Sequence, residues 1–219
     1  MCNLIDLKAT VDEVGAHFKA RRPKPTNATV GEVWKGGTGF VVREVVGARQ
    51  LDSMVWGFPR HSLNKRTGKP SKPTHVNNAS DDKLFSPYNM WREWFVQPAH
   101  RCLIPFSAFA EAVGPSGQRT RTWISIADQP LAACAGLWRP TDEWGDSYTM
   151  VMVDAVPEMP EIHDRMPVVL NHQGRDRWLE APAEEAMALV TPYPAEQLVA
   201  RHTAEPWTMN HANRQDRLL

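Results

Sequence analysis

The sequence predicts an α+β fold: a mainly antiparallel β-barrel or sandwich with helices flanking it at both ends. Three observations carry that prediction. Many short β-rich runs are separated by turn residues, and the chain holds 18 Pro and 13 Gly, which suits short elements joined by turns. Helical periodicity is confined to the first twenty residues, one short central stretch and the last third. Regular βαβ alternation and glycine-rich phosphate motifs are both absent, which argues against a parallel doubly wound sheet.

The elements follow in order. Leu4 to Ala20 reads as a helix, with Thr10 as an N-cap and Glu13 as its capping-box partner. Val11, Val14 and Phe18 fall on one face. Arg21 to Pro25 ends the helix as an extended connection. A turn is expected from Asn27 to Gly31 and another at Gly36-Gly37. Gly39 to Val46 and Gln50 to Phe58 are strands, the second ending in Trp56-Gly57-Phe58-Pro59. Ser80 or Asp81 is placed to cap a short helix, and Tyr88 to Phe95 reads as helical and partly buried. Arg101 to Pro105, Phe106 to Val113, Thr120 to Ala127, Ala132 to Trp138 and Ser147 to Val153 are strands. Pro160 to Pro167 is turn-rich. Trp178-Leu179 and Ala183 to Val190 read as helix, and Gln197 to Arg201 as one more short helix. Residues 1–206 are expected to form one domain, because no linker is visible, and 207–219 a flexible tail.

Composition bounds the function. The chain has 219 residues, with 25 Lys and Arg against 25 Asp and Glu. A neutral chain does not coat nucleic acid by bulk charge, although a local basic face remains open. Hydrophobic residues make up 42%, including 9 Trp, enough for a sizeable core. No apolar run approaches the roughly 18 residues of a membrane span. The N-terminal region lacks signal-peptide character. Three widely spaced cysteines, Cys2, Cys102 and Cys134, suggest neither a disulfide framework nor a metal site. A monomer in the cytoplasm is expected, with no metal and no cofactor.

Candidate chemistry begins at Cys2. Removal of Met1 would leave an α-amine and a thiol on adjacent carbons. The amine can capture an aldehyde as a Schiff base, and the thiol can then close a thiazolidine. Taken alone, Cys2 is better read as the residue that happens to follow a start codon. Glu111 lies in the apolar run Phe106 to Val113, where desolvation would raise its pKa and suit it to proton transfer; a strand-end Glu facing solvent gives the same pattern. His163, in Glu161-Ile162-His163-Asp164-Arg165-Met166-Pro167, is a candidate base or a surface turn residue. Arg165 is open to a structural pairing with Asp164 or Glu161. The Asn77-Asn78 pair suits a turn, or an amide that orients a reacting group.

A nucleic-acid face is suggested by the stretch from Ser53 to Ser80. It has no acidic residue and carries Arg60, Lys65, Arg66, Lys69 and Lys72. A basic loop is either simply solvated or a phosphate-contacting rim. Trp56 and Phe58, just before it, are candidates for stacking on unpaired bases.

In family order, the pieces are Met1-Cys2, Trp56-Gly57-Phe58, the Asn77 segment, Arg101-Cys102-Leu103-Ile104-Pro105, Phe109-Ala110-Glu111, Ala135-Gly136-Leu137-Trp138, Tyr148-Thr149-Met150, and Ile162 to Leu170. Together they resemble the SRAP family, the SOS-response-associated peptidases. The resemblance spans about residues 1–180, and its most specific runs are Arg101 to Pro105 and Ile162 to Leu170. It implies an SRAP fold and a DNA-repair role. In that role the protein binds single-stranded DNA, releases its own Met1 and forms a covalent thiazolidine crosslink to abasic sites through Cys2. It further implies Asn77 as the orienting amide, with Asn78 as the alternative, Glu111 as general acid/base, and His163 in proton transfer and crosslink reversal. Arg60, Lys65, Arg66, Lys69 and Arg165, with Trp56 and Phe58, are the expected DNA-facing residues. Two arginines common in the family are missing, at Leu4 and in the run Asn78-Ala79-Ser80-Asp81, where Ala79 marks the loss. Ala112 stands where an aromatic usually follows the Glu. A thiol peptidase or amidohydrolase using the same pocket, and a non-catalytic single-strand-binding module, are the alternatives.

Overall fold

The computed structural model describes residues 2–22, 28, 30–156 and 162–208. Met1, the expected connection at 23–25, part of the expected turn at 27–31, the first residues of the 160–167 segment and the tail from 209 onward lie outside the described residues. In chain order the strands and helices are β1 (Leu4–Leu7), α1 (Val11–Phe18), β2 (Gly31–Trp34), β3 (Thr38–Val45), β4 (Ala48–Trp56), β5 (Phe58–Arg60), β6 (Thr74–Val76), β7 (Asn78–Ser80), α2 (Arg92–Phe95), β8 (Arg101–Phe106), β9 (Ala108–Val113), β10 (Thr120–Ile126), β11 (Ala132–Arg139), β12 (Ser147–Asp154), β13 (Arg165–Pro167), α3 (His172–Glu180), α4 (Ala183–Met187) and β14 (Leu198–Pro206).

Two main sheets form the body. One has the order β14-β10-β9-β1-β2, with antiparallel neighbours throughout. The other runs β11-β8-β3-β4-β12-β13, and β11 also pairs with β12, so the path returns on itself as a barrel. The strand β7 joins β12 in parallel, with Met150 beside Asn78. The α+β, mainly antiparallel architecture read from the sequence is the one observed.

The expected first helix starts later than its periodicity suggests. Leu4, Ile5 and Leu7 are buried on β1, which is hydrogen-bonded on both sides by β2 and β9. Tertiary pairing outweighs local helix propensity there. The helix begins where the caps place it. Thr10 accepts from the Glu13 N–H, and the Glu13 carboxylate accepts from the Thr10 N–H at 2.7 Å. The expected short helix at Gln197 to Arg201 is also corrected. These residues belong mostly to β14, whose Leu198 pairs with Ile126 and His202 with Thr122. The helix expected from Tyr88 contracts to α2, and the one expected to reach Val190 ends at Met187. Ser80 takes the cap position of a 3-10 turn without a side-chain cap bond. Trp207 belongs to the folded body rather than to the expected tail: its N–H donates to the Arg119 carbonyl at 2.8 Å.

The Trp-Gly-Phe run bends the chain so that both aromatics face inward. Gly57 has φ +126, and a Cβ there would sit 2.6 Å from the His75 Cβ. Only glycine fits that backbone and that space. Trp56 then stacks parallel to Tyr148, with centroids 6.1 Å apart, and Phe58 packs on Trp91. Among the described residues no helix is long and apolar enough to cross a membrane.

Candidate active site

Cys2 enters the site because β1 carries it there. β1 is the middle strand between β2 and β9, and Leu4 pairs with Ala110. Continuing that register by one residue sets Asn3 opposite Glu111, so Glu111 lies beside the chain just after Cys2. The Cys2 side chain is fully buried, and its thiol donates to the Leu4 carbonyl at 3.6 Å. The Asn3 carbonyl accepts from the Lys35 N–H at 3.0 Å, which ties this segment to the end of β2.

Two side-chain amides converge on the Cys2 carbonyl. Asn77 Nδ2 donates to it at 2.8 Å and Asn78 Nδ2 at 3.0 Å. Asn77 Nδ2 also lies 3.2 Å from Asn3 Oδ1. Asn77 is itself fixed from behind: its carbonyl accepts from the Trp56 indole N–H and from the Met150 N–H, each at 3.1 Å. Both asparagines can reach one atom because the chain passes from β6 to β7 at this point. Asn77 and Asn78 thus act as two donors on one acceptor.

The electrostatics suit proton transfer. Glu111 is only 3% exposed, and burial raises its carboxyl to about 7. At neutral pH it exists in both protonation states, as a general acid/base requires. Burial, and then the Glu111 charge, hold the Cys2 thiol well above its ordinary range. The resting thiol is thus protonated, and an acceptor must take its proton before it reacts.

His163 lies just before β13, which pairs with β12. Partial burial lowers its pKa, so the neutral ring is the resting form. Its Nδ1 then accepts the Arg165 N–H at 2.9 Å, leaving the ring proton on Nε2. In the protonated ring the same nitrogen has Asp164 Oδ1 at 2.7 Å as its acceptor. The Asp164 charge adds slightly to the raising of the Glu111 carboxyl.

Several expected DNA-facing residues have other positions. Trp56 and Phe58 are both 0% exposed and belong to the core, so neither offers a ring face to a base. The pattern misleads because an aromatic before a basic loop looks the same whether Gly57 turns it inward or leaves it outside. Arg165 is engaged by Asp81 at 2.6 Å, Asp154 at 3.0 Å, Ser80 Oγ at 3.1 Å and the Met152 carbonyl at 2.9 Å. Asp164 is not among these partners and Glu161 lies outside the described residues; Arg165 braces the His163 loop against β12. Arg60, Lys65, Arg66 and Lys69 are exposed. Their loop is an ordered hairpin in which Ser62 meets Ser71 at 2.7 Å and His61 meets Glu143 at 2.6 Å. Leu4 and Ala79 are both fully buried, as apolar residues in those places should be. Sequence reasoning misses Asn3 as a partner of Asn77, and nothing in its local sequence signals it. Among the described residues no group of three or more His, Cys, Asp or Glu is placed to hold a metal ion. A cleft of about 920 Å³ lies elsewhere, and its lining, which includes Asp6, His17, Trp123 and Arg201, contains none of Cys2, Asn77, Glu111 and His163.

Comparison with known proteins identifies the family and the fold. The family model described as SOS response associated peptidase (SRAP) matches residues 1–205. A relative in Bacillus subtilis (strain 168), "Abasic site processing protein YoqW", is 31% identical over 109 residues, which is 46% of this chain and 48% of that protein. "Abasic site processing protein YoaM" of the same organism is 32% identical over 108 residues, again 46% and 48%. The match thus spans about half the length of these curated relatives. An X-ray structure of a protein from Bordetella bronchiseptica is similar, with a TM-score of 0.75, 25% identity, and coverage of 92% of this chain and 99% of that one. A protein from Bacteroides thetaiotaomicron shares the fold, with a TM-score of 0.72, 17% identity, and coverage of 97% and 94%.

Proposed function

As this chain belongs to the SOS response associated peptidase (SRAP) family, we propose that it processes abasic sites in DNA. In finer terms, it binds single-stranded DNA and, once Met1 is gone, ties the lesion covalently to Cys2. The observation that carries this reading is the grip of Asn77 and Asn78 on the Cys2 carbonyl, beside a Glu111 poised to exchange a proton near pH 7.

The chemistry runs in four steps. Hydrolysis of the Met1–Cys2 peptide bond consumes one water, releases methionine and frees the Cys2 amine. That amine adds to the aldehyde of the ring-opened abasic sugar, giving a carbinolamine. Protonation of its hydroxyl and loss of water leave the Schiff base. The nitrogen keeps its own proton, so the Schiff base is an iminium; the Cys2 sulfur, its proton taken by Glu111, then adds to the imine carbon and closes the thiazolidine. Glu111 in its acid form protonates the departing hydroxyl, and in its base form takes the thiol proton. The neutral His163 ring, holding its proton on Nε2, is the hydrogen-bond donor for the opened sugar. The asparagines fix the main chain of Cys2, so that only its amine and thiol need to move. This reading sets the protein in the cytoplasm, working on chromosomal DNA, where three free cysteines are at home.

A single-stranded oligonucleotide with one abasic site, run on a denaturing gel after incubation, tests the proposal. A shifted band is expected for the protein beginning at Cys2. No band is expected for Cys2→Ala, or for protein whose N-terminus is blocked by a retained Met1 or a tag. Equal crosslinking by free and blocked N-termini removes the thiazolidine route. Hydrolysis of unrelated peptides without any crosslink would instead indicate a thiol peptidase.

A further inference from the structure

Trp34 and Trp207 stand outside the site described above, one strand away from it. Trp34 pairs with Leu4 across β1 and β2, and the next residue, Lys35, donates its N–H to the Asn3 carbonyl at 3.0 Å. The segment that carries Trp34 therefore touches the main chain adjoining Cys2. Trp207 meets Trp34 edge-on, with ring centroids 5.2 Å apart and planes at 61°. Both indoles rest on the small apolar cluster of Leu4, Ala108, Ala110 and Trp123, and both remain partly exposed.

The surroundings carry charge suited to a polyanion. Arg121 lies 5.4 Å from the Trp34 ring but is already paired with Glu32 and Glu205. Lys35, next to Trp34 in sequence, and Arg119, whose carbonyl accepts from the Trp207 N–H, are exposed and make no ion pair among the described residues. Beside Trp207 opens a cavity of about 510 Å³ whose walls include Gln118, Arg119 and Pro206. A partly exposed aromatic pair next to uncommitted cations suits an unpaired base and its phosphates. A paired duplex has no free base face to offer, and an apolar protein partner would have no use for Lys35 and Arg119.

We propose that Trp34 and Trp207 form a stacking subsite for an unpaired base flanking the lesion, with Lys35 and Arg119 meeting its phosphates. This subsite rests on the abasic-DNA reading of the Cys2 site and specifies what the protein grips next to the reacting sugar. It takes the role that the buried Trp56 and Phe58 cannot fill.

The test uses the full chain and the variants Trp34→Ala and Trp207→Ala. Each is assayed on two oligonucleotides: one with normal bases beside the abasic site, the other with base-less tetrahydrofuran spacers there. With bases present, the half-saturating concentration for crosslinking should rise at least about fivefold in the variants. With spacers it should not change. An equal rise on both substrates, or no rise on either, overturns the subsite. Anisotropy of a labelled, lesion-free oligothymidylate reads binding without any crosslink. If the variants lose that binding while no protein crosslinks, the subsite stands and the abasic reading falls. If the variants bind and crosslink normally, the subsite falls and the abasic reading stands. Trp207 lies just beyond the end of an edge strand, so Trp207→Ala and the milder Trp34→Phe keep the test decisive should Trp34→Ala fail to fold.

Discussion

Asn77 donates its side-chain amide to the main-chain carbonyl of Cys2 at 2.8 Å, across 75 positions of sequence. The carbonyl end of the same residue is held by Trp56 and Met150. The bond therefore links the N-terminal segment to the barrel wall and is not a local turn contact. Asn78 adds a second donor at 3.0 Å.

Removing one donor should be graded. Asn77→Ala takes away the better-braced bond and should slow crosslinking about tenfold, equivalent to roughly 1.4 kcal/mol for one buried hydrogen bond. Asn78→Ala should cost less, and the double variant more than the sum, because the Cys2 carbonyl is then left without either amide. Single-turnover crosslinking rates measure this. Equal rates for all four proteins would remove both amides from the mechanism.

Glu111 links stability to pH. Its carboxyl stands at about 7 in the fold against an ordinary 4.5, chiefly through burial. Between these values the unfolded chain releases the proton while the folded chain keeps it. Stability should therefore fall as pH rises from about 4.5 to 7 and level off above, a loss on the order of 3 kcal/mol. Glu111→Gln removes that slope. Melts from pH 4.5 to 8 should show the variant gaining on the wild type as pH rises, while its crosslinking drops about 100-fold. Parallel melting curves at every pH would contradict the assignment.

Much of this is legible in the chain, and the failures share a cause. The strands from Arg101 to Val153 are visible because each is a short apolar run bounded by turn residues. The capping box at Thr10 and Glu13 is visible because capping is a local event. Leu4 to Leu7 and Leu198 to Pro206 escape local reading because their strand character comes from partners far away in sequence, β9 and β10. The same holds in the site. Cys2, Glu111 and His163 stand out as candidates only once the family resemblance orders them, and the burial of Trp56 and Phe58 depends on the conformation of Gly57.

Arg165 shows the same dependence on distant partners and yields a test of its own. Arg165→Met should leave Asp81 without its cation and loosen the His163 loop. The side chain is 22% exposed, so the cost is discounted from that of a fully buried pair, to about 1–2 kcal/mol. Asp154 is 83% exposed, and Asp154→Ala should change stability by less than about 0.5 kcal/mol. Urea unfolding separates the two. Arg165→Lys should restore part of the stability but less of the crosslinking rate, because a lysine cannot hold four acceptors with one planar group. If Arg165→Met crosslinks at the wild-type rate, the clamp does not serve His163.

The basic hairpin supplies the last prediction. Lys65, Arg66 and Lys69 are exposed on a loop whose ends are joined through Ser62 and Ser71, so their charges can change without disturbing the core. If they meet phosphates, reversing all three to Glu should weaken binding of lesion-free single strands. It should also flatten the dependence of log Kd on log salt by about 0.7 for each phosphate no longer neutralised, roughly 2 in total. Crosslinking at saturating oligonucleotide should be preserved, because none of the three lies among the groups that hold Cys2. Titrations at several salt concentrations decide the matter. A parallel shift with unchanged slope would mean the loop acts other than through its charge, and unchanged binding would mean that single strands reach Cys2 by another face.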